Sequence, residues 1–296
     1  MKTVVPMVVK NEEFYIDMAI RSVADHVDGV YVLDTGSTDE TFLKVQHLQR
    51  TYKNIKYEYK KFCVGNERFP ADYDEVISRN YCIEKAIQTF GDVGWIIILD
   101  GDEILNERYF EVFEEAKASG AKTIGHATSI PASPYLVWNE EKYFTTWSDK
   151  WRLFDPHVRA WSTQLNVRFI RRKENISHMI LKVVGREEDL HHEYVMTDHV
   201  HFHLHRSFGP KSLYRYIFGI NMEVTGREAC AKIGIDYADI FNQSLITRKF
   251  PQYFEVNGKF VPPYNLDKTW MSNFAAISHP LPHFVVEKWK FWGYWL

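Results

Sequence analysis

The sequence predicts an α/β protein: a largely parallel sheet flanked by helices, followed by a C-terminal α+β extension. Three observations predict it. Strand and helix signals alternate through residues 1–130, the pattern of successive βαβ units. Two buried-strand patterns, GVYVLD (29–34) and GWIIILD (94–100), end in aspartate, and open α/β sheets bind ligands beyond the carboxyl ends of their strands. Past residue 130 the alternation gives way to Pro-punctuated loops, short strands and scattered aromatics.

The elements follow in order. TVVPMVV (3–9) is an apolar, β-branched run and reads as the first strand. Residues 12–26 place Phe14, Ile16, Met18, Ala19, Ile20, Val23 and Ala24 between charges, the spacing of an amphipathic helix. GVYVLD is a short buried strand. TGSTDE supplies turn residues and a helix start, with Ser37 or Thr38 as N-cap and acids in the first turn, the helix running to about Arg50. NIKYEYK (54–60) alternates like a half-exposed strand. Residues 74–90 read as helix, 94–100 as the strongest buried strand, 106–119 as helix and 121–129 as strand.

Composition narrows the function classes. The 296 residues carry 36 Lys+Arg against 39 Asp+Glu, a formal net charge of −3. A protein that grips nucleic acid by charge needs a basic excess, so general nucleic-acid binding is not expected. No apolar run approaches the roughly 20 residues of a membrane span. MKTVVPMVVKNEEF reads as a strand and not as a secretory signal. The three Cys are far apart and odd in number, which points away from a disulfide framework and toward the reducing cytoplasm. Aromatic residues reach 16%.

ILDGDE (98–103) sets Asp100 and Asp102 around Gly101, with Glu103 next. Carboxylates so spaced share one hard divalent cation, or cap the following helix through its dipole. LDTGSTDET (33–41) carries Asp34 at a strand end. Such a carboxylate accepts hydrogen bonds from a base or ribose, or makes a turn and N-cap. Both readings stay open from the residues alone.

VVKNEE (8–13), VLDTGSTDET (32–41), SRNYCIEKA (78–86) and WIIILDGDE (95–103) resemble, in order and spacing, the nucleotide-sugar half of family 2 glycosyltransferases with the GT-A fold. The nearest likeness is to the branch that includes lipopolysaccharide-core β-glucosyltransferases. RLFDPHVRAW (152–161), HHE (191–193) and DHVHF (198–202) resemble that branch's R-L-F-R, V-H-E and D-I-L-H-Y motifs. The resemblance implies a mixed sheet of GT-A type. It implies a nucleotide-sugar half over 1–130, an acceptor-side half over 131–210 and a helical, aromatic-rich extension over 211–296.

It also implies roles. Val8, Val9, Asn11, Glu12 and Asp34 would line the nucleoside pocket, and Arg79 would reach the nucleotide or its diphosphate. Asp100, Gly101 and Asp102 would form the D-x-D metal motif, with Asp102 the direct ligand of Mn²⁺ or Mg²⁺. Glu103 would lie near the donor sugar or hold the loop. His201 would complete the cation site or bind diphosphate. Glu193 is the favoured general base, and Asp189, 87 residues after Asp102, is its rival.

The expected activity is metal-dependent inverting transfer from a UDP-sugar to a hydroxyl acceptor: a saccharide, a lipid-linked saccharide, a peptide or a modified DNA base. The alternatives are a nucleotidyltransferase and a non-catalytic nucleotide- or carbohydrate-binding protein. VVKNEE, standing where a nucleotidyltransferase carries a Gly-rich basic loop, argues against the first.

Three features are less specific. His199, His201, His203 and His205 share one face of a strand at period two, which suits a transition metal or a solvated face. RFIRRK (168–173) suits an acidic acceptor or a solvated edge. The Trp residues after 137 and the tail FVVEKWKFWGYWL (284–296) fall where acceptor recognition is expected. That tail suits docking on the body, a dimer contact or peripheral membrane contact.

Overall fold

The computed structural model describes residues 1–62, 75–126, 131–133, 136–138, 157–172, 175–185, 190–196, 200–204, 231, 234, 255–256, 259–260, 274–276 and 281–291. The chain divides into two compact units. The first comprises Met1–Gly101, Tyr109–His126 and Pro156–Thr197, and the second Asp102–Arg108, Ala127–Asp155 and Asp198–Leu296.

The first unit is built on a seven-stranded mixed sheet flanked by helices. Its strands are β1 (Lys2–Val9), β2 (Gly29–Asp34), β3 (Ile55–Tyr59), β4 (Val93–Ile97), β6 (Thr123–His126), β9 (His157–Ser162) and β12 (Tyr194–Met196). They lie in the order β12-β6-β9-β4-β1-β2-β3. β1 pairs parallel with both β2 and β4, and β2 with β3. β9 runs antiparallel between β4 and β6, so β6 and its parallel partner β12 point the same way as β1. The sheet thus takes strands from beyond residue 130.

β1 is central because its apolar run is buried on both faces: Val4, Val5 and Met7 are fully inaccessible. Its ladder to β4 ends at Val4, two residues before Pro6, whose nitrogen has no hydrogen to donate. α3 (Glu75–Phe90) buries Ser78, Cys82, Ile83 and Ala86. Cys82 and Ile83 join Tyr31, Leu33, Ile96 and Trp161 in one apolar cluster. Cys82 is an unbridged thiol that burial pushes up in pKa; Cys63 and Cys230 lie outside the described residues. Trp161, one of the Trp residues that fall where acceptor recognition is expected, is 1% exposed and belongs to this core. As a residue of β9, it faces the sheet's interior.

Two helices start later than their patterns suggest, for one reason. α1 spans Ile16–Ala24 and α2 spans Thr41–Thr51. The residues ahead of each are spent on bonds between the β1–α1 and β2–α2 loops, described below. Ser37 and Thr38 therefore do not cap α2; Asp39 accepts the Thr41 N–H instead, at 3.0 Å. α4 (Glu107–Ala118) buries Tyr109, Val112, Phe113 and Ala116.

The first unit also holds the hairpin of β10 (Val167–Arg172) and β11 (Asn175–Val183). In the second unit, β5 (Glu103–Leu105) pairs antiparallel with β13 (His201–His203). β7 (Pro131–Ser133), β8 (Leu136–Trp138) and β16 (Phe274–Ala276) form a three-stranded sheet, and β14 (Glu255–Val256) pairs with β15 (Lys259–Phe260). α5 (His283–Phe291) follows, with Val285 and Val286 buried. Among the described residues no helix is long and apolar enough to cross a membrane.

Candidate functional site

The carboxyl ends of β4, β1, β2 and β3 share one edge of the first unit, since the four strands are parallel neighbours. Most of the chemistry-bearing residues noted in the sequence collect there. Asn11 follows β1, Asp34 ends β2, Asp100 follows β4, and Arg79 reaches Asp100 from α3.

The loops after β1 and β2 are stitched together. Asn11 holds a left-handed backbone, φ 56°, a conformation asparagine tolerates better than most residues. Its N–H donates to Ser37 Oγ at 2.9 Å, and its Oδ1 accepts the Thr38 N–H at 2.8 Å. The Glu12 N–H donates to Thr41 Oγ1 at 2.8 Å, and the Glu13 N–H to Asp39 Oδ2 at 3.1 Å. Glu13 Oε2 accepts the Glu40 N–H at 2.9 Å. The carbonyl of Val9, itself 2% exposed, accepts the Thr35 N–H at 3.0 Å. Each bond occupies a backbone group that would otherwise be stranded at a strand or helix end.

Asp34 is 1% exposed. Its Oδ1 accepts the N–H groups of Gly36 and Ser37 at 2.9 and 2.7 Å, and its Oδ2 accepts the Tyr57 hydroxyl at 2.8 Å. The turn reading of this residue is therefore realised, and the carboxylate braces the loop from below. Burial pushes the Tyr57 phenol well above its ordinary pKa, and the bond to Asp34 adds to the shift. Phe42, partly exposed, leans on the Tyr57 ring with centroids 5.1 Å apart.

Arg79 is held on several sides. Its Nε donates to Glu75 Oε1 at 3.0 Å, and its Nη2 lies 2.9 Å from the same oxygen and 2.8 Å from Asp100 Oδ1. Its guanidinium carbon sits 5.6 Å from the centroid of the Phe169 ring. Gly101 lets this turn approach the β1 loop. A Cβ there would fall 2.9 Å from Glu12 Cγ and 3.0 Å from Val9 Cγ1, closer than real contacts allow. Beside this edge Glu58 accepts the Tyr31 hydroxyl and, at 2.6 Å, that of Tyr81. Burial alone would raise the Glu58 carboxyl; these two bonds, with the charges of Lys60 and Lys85, outweigh it and hold the group below its usual range.

In the second unit, Asp102 is 8% exposed and its carbonyl accepts the Leu204 N–H at 2.8 Å. Glu103 and His201 are 1% and 0% exposed, with Oε2 and Nε2 3.1 Å apart. His201 thus faces a carboxylate on the paired strand. Of its expected companions, His199 and His205 lie outside the described residues.

Carboxylates on a tight turn after a strand are the donors a hard divalent cation takes. Among the described residues no three His, Cys, Asp or Glu gather into a cage. The residues fit a cation that takes one or two carboxylates and completes its shell with phosphate and water.

Glu193 stands elsewhere. Its N–H donates to the Thr123 carbonyl at 3.1 Å, and its Oε2 accepts the Lys122 N–H at 2.6 Å. Both contacts lie at the amino ends of β6 and β12. Through Thr123 and Trp161, Glu193 is level with Ile96, four residues short of Asp100 and three strands across the sheet. At strand spacings this is roughly 13 Å along the sheet and roughly 14 Å across it. That separation is far beyond the reach of a base acting beside Asp100, so the expected role of Glu193 does not survive the fold. Its neighbour His192 packs over Gly125. Asp189 lies outside the described residues.

Of the basic run after 167, Arg168 pairs with Glu84 on α3. Residues the sequence reading left unassigned also shape the edge: Tyr57 under Asp34, Asp39 and Thr41 between the loops, and Asn80 beside Arg79. Asn80 sat inside a quoted motif, yet nothing in the sequence told which way its amide turned.

No protein-family profile and no curated protein sequence matches the chain. Among solved structures it is similar to residues 1–349 of S. aureus TarS, also solved in complex with UDP. The identity is 16% and the TM-score 0.41, over 85% of this chain and 72% of that one. It is similar to glucosyl-3-phosphoglycerate synthase from Mycobacterium tuberculosis, in complex with Mn²⁺, UDP and phosphoglyceric acid. There the identity is 17% and the TM-score 0.31, over 43% of this chain and 42% of that one. It is also similar to the mannosyltransferase PcManGT from Pyrobaculum calidifontis, in complex with GDP-Man and Mn²⁺. There the identity is 15% and the TM-score 0.31, over 43% of this chain and 35% of that one. At TM-scores of 0.31 to 0.41 these likenesses carry no assignment of family or activity.

Proposed function

We propose that the chain is a metal-dependent, inverting glycosyltransferase of the GT-A type, moving a sugar from a UDP-sugar to a hydroxyl acceptor. The supporting observation is the convergence of Asn11, Asp34, Arg79 and Asp100, distant in sequence, on the carboxyl edge of four parallel strands. That edge is where open α/β sheets take nucleotides.

In this reading the stitched loops after β1 and β2 form the nucleoside side of the donor site, with Asn11, Glu12 and Asp34 fixing its floor. Arg79 holds Asp100, and Asp100 with Asp102 binds Mn²⁺ or Mg²⁺. When bound, the cation supplies Lewis-acid neutralisation of the leaving diphosphate. A carboxylate must take the acceptor proton as its oxygen attacks the anomeric carbon from the face opposite the leaving group. Asp189, the rival acid implied by the sequence resemblance, is the candidate for that role.

The test is a nucleotide screen by thermal shift, because a ligand that binds the folded state raises its melting temperature. UDP is expected to stabilise the protein, and more so with Mn²⁺. No nucleotide response with any divalent cation would sink the reading. With the responding donor, transfer is expected to survive Glu193→Gln and to stop in Asp189→Asn. Metal-strengthened binding without transfer to any acceptor would favour a non-catalytic binder.

A further inference from the structure

Asn80 makes a two-way amide clamp on a single residue of the neighbouring strand. Its Nδ2 donates to the Phe169 carbonyl at 2.9 Å, and its Oδ1 accepts the Phe169 N–H at 2.9 Å. A side-chain amide carries both the donor and the acceptor that such a pairing with one backbone unit needs. The clamp ties β10 to α3, and Glu84 reinforces it one turn on by pairing with Arg168.

The clamp fixes more than the backbone of Phe169. The Phe169 ring, 9% exposed, lies under the guanidinium of Arg79, the residue before Asn80. A guanidinium within about 6 Å of a ring face is attracted to it. Arg79 is itself only 12% exposed and meets Asp100 Oδ1 at 2.8 Å, while the Asp100 side chain keeps 27% exposure. Phe169, Asn80, Arg79 and Asp100 are therefore one chain of contacts, all within the first unit. It runs from the β10–β11 hairpin to the carboxylate on the strand-end turn.

The geometry points to Asn80 and Phe169 as positioning residues for Asp100, acting through Arg79. The clamp sets β10, the ring on β10 sets the guanidinium, and the guanidinium sets the carboxylate. The inference rests on the reading of Asp100 as a cation ligand. It also changes what Arg79 does: its fork is directed at Glu75 and Asp100, so it orients an acid of the site. Arginine suits this better than lysine, whose ammonium is a single point charge without a planar fork.

The test compares Mn²⁺ affinity by electron paramagnetic resonance, with and without UDP, in the wild type, Asn80→Ala and Phe169→Leu. Loss of a residue that orients a metal ligand typically weakens metal binding by about tenfold or more. Both variants are expected to lose about tenfold in Mn²⁺ affinity while keeping wild-type affinity for UDP without metal. A merely structural role would move both affinities together or neither, and either result overturns the inference. Phe169→Leu keeps the clamp and removes only the ring, so it serves if Asn80→Ala does not fold.

A second measurement separates this inference from the functional reading. The Arg79 Nε–H resonance, identified by its loss in Arg79→Lys, is expected to exchange slowly in the wild type and faster in both variants. An unchanged exchange rate overturns the latch whether or not UDP binds. A wild type that ignores Mn²⁺ and UDP overturns the cation-site reading.

Discussion

Replacing Asp102 by Ala is expected to abolish the Mn²⁺-dependent gain in UDP binding and to slow sugar transfer by roughly a thousandfold. The size follows from the role: a Lewis acid at a leaving diphosphate contributes several kcal/mol, and about 1.4 kcal/mol is a tenfold change in rate. The backbone of the turn should keep its pairing in the variant. Asp102 is held through its carbonyl, which accepts the Leu204 N–H, and β5 continues directly from it. Those backbone features persist in Ala. Asp102→Asn keeps the shape and removes the charge, so it should behave like Ala in metal response. Calorimetric titration of UDP with and without Mn²⁺ checks this. A variant whose UDP affinity still rises with Mn²⁺ to the wild-type extent would remove Asp102 from the metal assignment.

His201→Ala is expected to destabilise the protein by about 1–3 kcal/mol, the cost of taking one hydrogen-bond partner from a buried polar group. Glu103 is 1% exposed and His201 fully buried, so the remaining carboxylate has no ready access to water. The measurement is urea unfolding in EDTA and again in Mn²⁺. A histidine that serves Glu103 loses the same stability in both. One that ligates the cation loses its contribution only when metal is present, and that outcome would restore the metal role implied by the sequence resemblance. Glu103→Gln, which keeps the shape and removes the charge, should cost less than His201→Ala.

Much of the carboxyl edge of the sheet was legible because its signals are local. GVYVLD forms a strand over the residues expected, Gly29–Asp34, since a short apolar run buried on both faces has few other outcomes. The dual reading of Asp34 could not be resolved before its partners were known. Tyr57, 23 residues on, takes one oxygen, and two turn amides take the other. The start of α2 was misplaced because Ser37 and Thr38, good caps by type, were recruited by Asn11 across the loop.

Glu193 failed for a topological reason. HHE precedes its strand, and a motif alone does not tell whether its residues sit at the amino or carboxyl edge of a sheet. Only the parallel pairing of β12 with β6 decides that. The place of Trp161 in the core was hidden for a related one. HVRAWS has weak strand character, and nothing in it announces an antiparallel insertion between two parallel strands.

That insertion governs how the chain comes to be folded. β4 ends at Ile97, but β9, its partner on one side, begins at His157, and the outermost β12 ends only at Met196. Pairings so distant close slowly, because loop entropy is spent before the contacts return it. A chain emerging from the ribosome therefore carries an open apolar edge at β4 until residue 162 is free to cover it. Such an edge invites pairing with other chains. The first 130 residues are thus no autonomous fragment: their sheet is completed by segments made long after their last helix.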